Sequence, residues 1–274
     1  MAIFVLLASV PLLLLGWFVG QPMLLERRRE KHRNKPFPAA WRSILRRRVP
    51  AYRGLPHDLQ RQLQRHIHVF LAEKQFTGCA GQEIDDEVRI TIAAQACLLL
   101  LNRRARYFPG LRQILVYPGA FLVERLRPEP SGVLQETRNI LSGESWANGQ
   151  VILSWEDALA GAADAHDGRN VVIHEFAHQL DQEKGHANGA PLLSTRRRYE
   201  SWSTVLAREF QRLQYSAAMQ QPTLLSHYGA TNPAEFFAVA SEVFFEQPHA
   251  MQRLHPALYG ELQRFYRVDP AMWQ

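Results

Sequence analysis

At 274 residues the chain can bury one sizeable core, and its 46% hydrophobic and 21% charged residues exclude disorder and collagen-like repeats. Two cysteines, Cys79 and Cys97, exclude a disulfide scaffold and a four-cysteine zinc site, so any metal must be held by other side chains. The net charge of +6 is local: residues 1–53 carry 11 Lys/Arg and 2 acids, the remainder 21 and 24, which excludes a basic nucleic-acid face on the folded domain.

Ile3 to Val19 is uncharged, and the first charge after it is Glu26. About 20 residues suffice to cross a bilayer core, so residues 1–25 are expected to form a single transmembrane anchor, with Trp17 suited to the lipid interface. A cleaved signal peptide fits less well: the start carries no basic residue and no small-residue cleavage site comes after the apolar run. The basic block Arg27 to Lys35, with Arg46-Arg47-Arg48 beyond it, places the rest of the chain in the cytoplasm by the positive-inside rule. Residues 26–55 read as a basic juxtamembrane linker able to lie on anionic headgroups, and 56–274 as one domain.

His57 to Gln75 has Leu59, Leu63, Ile67, Phe70 and Leu71 at helical spacing. His66 and His68 lie two apart on that helix and face different ways, which suits core or solvated histidines rather than a metal pair. Asp86 to Leu101 reads as a buried helix. Strands are expected at 114–117 and 120–123, around the Pro118-Gly119 turn, and at 150–155. From Glu156 onward the pattern is helical, with loops around 185–194 and 216–232 where a gate would sit. The sum is an α+β domain, a small sheet packed among helices.

The chemistry lies in Asn170 to Asp181, which contains His174-Glu175-Phe176-Ala177-His178. Four residues apart on a helix, His174 and His178 share a face and can bind one Zn²⁺. Glu175 then projects beside the metal, placed to take a proton from an activated water. Val172, Ile173, Phe176, Ala177 and Leu180 supply the apolar surface that buries such a helix, which disfavours the alternative of two merely satisfied histidines. A catalytic zinc needs a third protein ligand. Asp181 and Lys184 stand where a metzincin requires Gly and His, so that class is excluded. His166 and His186 are nearby but unconstrained, and a fourth ligand among them would make the site merely structural. Asn232 and Pro233 are a good N-cap and first helical residue, opening a helix whose face contains Glu235 and Glu242. Spacing leaves Glu235 as either a ligand or the acid of an N-x-x-E capping box, with Glu242 a rival ligand. Asp181 and Glu242 can each instead orient an imidazole.

H-E-F-A-H-Q-L-D, the H-A-N-G-A-P loop, and Y-G-A-T-N-P-A-E-F-F-A-V-A-S-E-V-F-F together resemble the Mlc titration factor A family of bacterial zinc peptidases. V-Y-P-G-A-F and S-W-A-N-G-Q-V-I-L-S-W extend the similarity, which runs from about Pro50 to the C-terminus. The catalytic segments are also similar to those of anthrax lethal factor, a gluzincin-like protease. The resemblance implies a zincin-like, gluzincin-type fold with one zinc per chain held by His174, His178 and Glu235. It implies Glu175 as general base, Tyr228 as oxyanion donor, and an edge strand beside the zinc, drawn from 150–155, that binds extended peptide. Val239 replaces the second acid of lethal factor, so that protein's substrate preference does not carry over. The implied activity is peptide hydrolysis, aminopeptidase-like; the membrane helix lies outside the similarity, and the expected place at the cytoplasmic face of a bacterial inner membrane rests on the apolar run and the basic block alone. The alternative the resemblance implies is a regulatory protein that sequesters a transcriptional repressor.

Overall fold

A computed structural model describes residues 20–128, 134–141, 143–146 and 149–273. The expected anchor falls mostly on residues 1–19, which lie outside the described residues. Among those described, no helix is long and apolar enough to cross a membrane.

The chain begins with a helix over 20–33 (α1), followed by α2 (Ala39–Arg48), α3 (Ala51–Gly54) and α4 (His57–Glu73). The stretch 26–55, expected as a linker, is thus largely helical and packs on the domain. Ile44, Leu45, Val49 and Tyr52 are buried in the core. The arginines of this stretch are matched by acids of the domain: Arg29 grips Glu73 through two bonds of 2.7 and 2.9 Å, and Arg47 and Arg48 both pair with Glu87. The local excess of basic charge is therefore partly a docking face turned inward, which charge counting alone reads as exposed. His66 and His68 are both buried, the core alternative of the two their spacing left open.

The sheet is built from short apolar runs separated by helices. β1 (Gln75–Gly78), β2 (Gln113–Tyr117) and β6 (Gln150–Ser154) run parallel, and β5 (Gly143–Trp146) closes one edge antiparallel, in the order β1-β2-β6-β5. In β2, Ile114 and Val116 are buried and their neighbours half-exposed, the alternation of a strand with one covered face. β6 is central and buried on both faces at Val151 through Ser154. Register is marked by a polar ladder, Gln150 to Gln113 to Thr77, at 2.8 and 2.9 Å. The strands expected at 114–117 and 120–123 do form. They belong to different sheets, because β3 (Phe121–Pro128) pairs with β4 (Leu134–Leu141) as a separate antiparallel ribbon.

Around this sheet pack α5 (Asp86–Leu98), α6 (Trp155–Ala163), α7 (Val171–Asp181), α8 (Arg196–Ala218), α9 (Pro233–Glu246), α10 (Pro248–Leu254) and α11 (Pro256–Tyr266). α5 is almost wholly buried and opens on an Asp85 cap that accepts from the Val88 N–H at 2.9 Å. α8 reaches Ala218, three residues into the expected loop, and a short 3₁₀ turn, His227–Ala230, lies toward the end of that loop. Two aromatic clusters lock the helices that matter most. Phe176 of α7 meets Phe108 at 4.8 Å and Phe70 at 5.6 Å, while Phe237 of α9 meets Trp202 and Phe265, each at 5.7 Å.

Candidate metal centre

α7 begins at Asn170, whose side-chain oxygen accepts from the Ile173 N–H at 3.0 Å. From that start, His174 and His178 fall one turn apart on the face turned toward α9, with Val172, Ile173, Phe176 and Ala177 buried on the other sides. α9 begins at Asn232, whose side chain accepts from the Glu235 backbone N–H at 3.0 Å. This settles the capping-box alternative. Asn232 makes the cap with the Glu235 backbone, and the Glu235 carboxylate turns instead to the imidazoles.

His174 Nε2 lies 2.9 Å from Glu235 Oε2, His178 Nε2 3.4 Å from the same oxygen, and the two Nε2 atoms stand 3.2 Å apart. Ligands bound at about 2.0–2.1 Å around a tetrahedral ion are about 3.3 Å from one another. The donor set therefore fits a zinc-sized ion without rearrangement. Among the described residues this is the only such convergence of three metal-ligating side chains.

Glu242 is not a fourth member. Its Oε1 lies 2.7 Å from His174 Nδ1, on the far side of the ring, and its Oε2 accepts from the Asn170 N–H at 2.6 Å. One carboxylate thus orients the His174 ring, with Nε2 turned toward His178 and Glu235, and ties the start of α7 to α9. Asn170 extends the tie, donating to Gly161 O at 3.0 Å and Glu246 Oε1 at 2.9 Å. Asp181 is not an imidazole partner. Its Oδ2 accepts from the Asn188 and Gly189 N–H groups at 2.7 and 2.6 Å, and its Oδ1 makes no hydrogen bond. Gly189 in turn has φ +78°, and a Cβ there would sit 2.4 Å from the Pro233 carbonyl oxygen. Trp202 also holds Gly189 by its indole N–H at 2.8 Å. The middle of the loop expected as a gate is consequently pinned between α7 and α9.

Burial alone pushes the His174 imidazole toward neutrality, but Glu235 and Glu242 on either side outweigh it and hold its pKa well above the usual value. Burial likewise opposes ionisation of Glu235, yet the two histidines hold its carboxyl well below the carboxylate range. Glu175 is 5% exposed, and burial raises its pKa against the pull of both imidazoles, the direction a proton acceptor at neutral pH requires.

His174, Glu175 and Tyr228 share the wall of a cleft of about 490 Å³ with Asp157, Asp167 and Arg169. Tyr228 sits on the 3₁₀ turn with its ring centroid 5.9 Å from that of His174. Gly143 closes over the acid: a Cβ there would lie 2.7 Å from Glu175 Oε1 and 2.6 Å from Val171 Cγ2. This corrects the expected edge strand. β6 is paired on both sides, by β2 and β5, so it offers no free edge, and β5 is the strand that borders the site. Spacing and propensity give no notice of β5, although its glycine is visible.

A helix-borne His-Glu-x-x-His, a glutamate from a second helix and a cleft beside them describe a metallopeptidase-type protein. The family profile "Glucose-regulated metallo-peptidase M90" matches residues 24–267, beginning within α1. The chain is 33% identical over 227 residues to Mlc titration factor A of Escherichia fergusonii, covering 82% of this chain and 84% of that one. It is 32% identical over 238 residues to Mlc titration factor A of Cronobacter sakazakii, covering 86% and 88%. An uncharacterized protein of Synechocystis sp. is 40% identical over 258 residues, covering 94% of each chain. The chain belongs to this metallo-peptidase family, together with the Mlc titration factor A proteins.

Proposed function

We propose that the protein is a zinc-dependent peptidase with aminopeptidase-like specificity. The observation that carries the reading is the convergence of His174 Nε2, His178 Nε2 and Glu235 Oε2 within 4.8 Å, with Glu175 buried beside them. A zinc ion bound there supplies Lewis acidity, polarising a scissile carbonyl and acidifying water. Glu175 accepts the proton released by the attacking water and returns it to the leaving amine. The Tyr228 hydroxyl donates to the oxyanion as the peptide carbonyl becomes tetrahedral. Glu242 keeps the His174 ring oriented throughout. β5 ends the sheet among the described residues, and its outer edge offers backbone groups to an extended peptide. Asp157 and Asp167 on the cleft wall suit a free α-ammonium, which supports cleavage from the N-terminus. Placement at the cytoplasmic face of a membrane rests on the uncharged run at 3–19 and the basic block after it.

The test is zinc stoichiometry of the full-length chain, with hydrolysis of unblocked and N-acetylated peptides. One zinc per chain, activity lost on chelation and restored by zinc, and cleavage of unblocked peptides alone are expected. Cleavage of both peptide classes would remove the aminopeptidase reading, and bound zinc without turnover would remove the peptidase. A second reading rests on the name of the relatives, Mlc titration factor A. If the chain instead acts by sequestering a transcriptional regulator, Glu175→Gln protein will bind that regulator as tightly as the native chain.

A further inference from the structure

Away from the metal centre, a cavity of about 940 Å³ lies between α1, α4 and the segment after α5. Arg29, Arg33, Arg65, Arg103, Arg104 and Arg106 line it, against Glu26 as the only acid on its wall. Three of these cations are matched: Arg29 by Glu73, Arg33 by Glu26 and Glu30, and Arg106 by Glu183. Among the described residues Arg65, Arg103 and Arg104 enter no ion pair.

Two side chains of the same wall also carry polar atoms that are buried and without a hydrogen-bond partner among the described residues. Arg33 Nε donates to the Tyr107 hydroxyl at 3.3 Å, and that hydroxyl is hydrogen-bonded to His66 Nδ1, 2.8 Å away. His66 is 7% exposed, and burial, reinforced by Arg33, lowers its pKa to about 4, so the ring is neutral. Its Nε2 is buried and makes no hydrogen bond among the described residues. Arg103 stacks its guanidinium on Phe265, 4.2 Å from the ring centroid, and its Nη1 is likewise buried without an acceptor. Native proteins rarely leave such atoms unmet.

The wall is built, not fortuitous. Arg29 also binds the Arg106 carbonyl at 3.2 Å, and the Asn102 N–H donates to Gln62 Oε1 at 2.8 Å. Asn102, Tyr107 and Phe108 all have left-handed φ, at 54°, 56° and 52°, a conformation bulky side chains keep only where surrounding contacts impose it. The lining also includes the apolar Pro22, Leu25 and Leu192, with Met23 and Leu24 exposed between the first two on α1.

We propose that this arginine cavity is a binding site for a phosphate group, and that its apolar rim favours a phosphate carried on an acyl-chain amphiphile. Arginine forks match phosphate oxygens, and Arg65 and Arg104, exposed on this wall, enter no ion pair among the described residues. The group can reach the site as a phospholipid headgroup or as free phosphate, and the probes separate the two.

The full-length chain in a non-ionic detergent is titrated calorimetrically with dihexanoyl phosphatidylglycerol, dihexanoyl phosphatidylcholine and inorganic phosphate. Saturable binding of phosphatidylglycerol, with phosphatidylcholine and inorganic phosphate at least about tenfold weaker, is expected and assigns a lipid source. Equal binding of inorganic phosphate upholds the site and assigns free phosphate. Reversing two exposed wall cations, Arg65→Glu with Arg104→Glu, is expected to weaken binding at least about tenfold. Arg27→Glu with Arg28→Glu, exposed on the same α1 but off the wall, leaves it within about twofold. Saturation by neither phosphate probe, full affinity after the wall reversals, or an equal loss from Arg27 and Arg28 each overturns the proposal.

Discussion

Glu242 is the residue whose role the structure defines most sharply, and Glu242→Ala tests it. The substitution removes the 2.7 Å contact to His174 Nδ1 and the 2.6 Å bond from the Asn170 N–H. Both partners are left in a buried setting, where an unsatisfied donor costs about 1–3 kcal/mol. A loss of about 2–6 kcal/mol in folding stability is therefore expected for the pair. The metal effect is separable. His174 keeps its Nε2 but loses the carboxylate that fixes its ring, which weakens metal affinity by about 10–100-fold. Glu235→Ala takes away a donor of the site itself and should lose zinc altogether under the same conditions. The assay is competition for zinc against a chromophoric chelator, with thermal unfolding of each apo protein alongside. Glu242→Gln does not rescue, because both groups facing the side chain are N–H donors and a carboxamide can accept from only one of them. Loss of zinc in Glu242→Ala as complete as in Glu235→Ala would make Glu242 a ligand, and unchanged affinity would show that His174 needs no such brace.

Glu175→Gln should keep its zinc and lose about 10²–10⁴-fold in kcat for peptide hydrolysis, and retention of full activity sinks the assignment of the base. Gly143→Ala places a methyl 2.6 Å from Val171 Cγ2 and 2.7 Å from Glu175 Oε1. It is expected to cost about 1–3 kcal/mol in thermal stability, and about 10²-fold in activity because the base is displaced. Kinetics like those of the native chain would show that β5 yields instead. Burial pushes Glu246 up to about 9, from the ordinary 4.5. Between those values the folded protein holds a proton that the unfolded chain has released, so this carboxyl makes stability fall as pH rises, by up to about 1.4 kcal/mol per unit. Glu246→Gln removes that slope, and urea midpoints at pH 6 and 8 should show the variant gaining on the native chain at the higher pH. Parallel midpoints would refute it.

The features legible in the sequence are those that local geometry enforces. A four-residue spacing on a helix puts His174 and His178 on one face whatever surrounds them, and Asn232-Pro233 starts a helix by chemistry confined to one turn. The division of labour between Glu235 and Glu242 is a different matter. They lie seven residues apart on the same face, about 10 Å along the axis, and only the crossing of α7 and α9 decides which nitrogen of His174 each one meets. Resemblance selects Glu235, and the geometry gives the reason. The stretch 26–55 reads as a linker because long arginine stems hide an inward face with few apolar residues: Ile44 and Leu45 alone mark it on α2. β5 escapes notice because its pairing with β6 is a tertiary event, and Gly143 carries no strand propensity.

The loop around Gly189 bears on how such a protein can change over generations. It touches no metal donor, yet Asp181 at the end of one ligand-bearing helix grips it, and its glycine rests against the carbonyl of Pro233 at the start of the other. The separation of the two histidines from Glu235 is therefore recorded partly in a residue no survey of ligands would flag. Gly185 and His186, exposed beside it, are freer to drift in identity, while a single side-chain carbon at Gly189 would wedge the helices apart. Descendants can remodel the cleft wall and acquire new substrates, so long as this one contact stays bare.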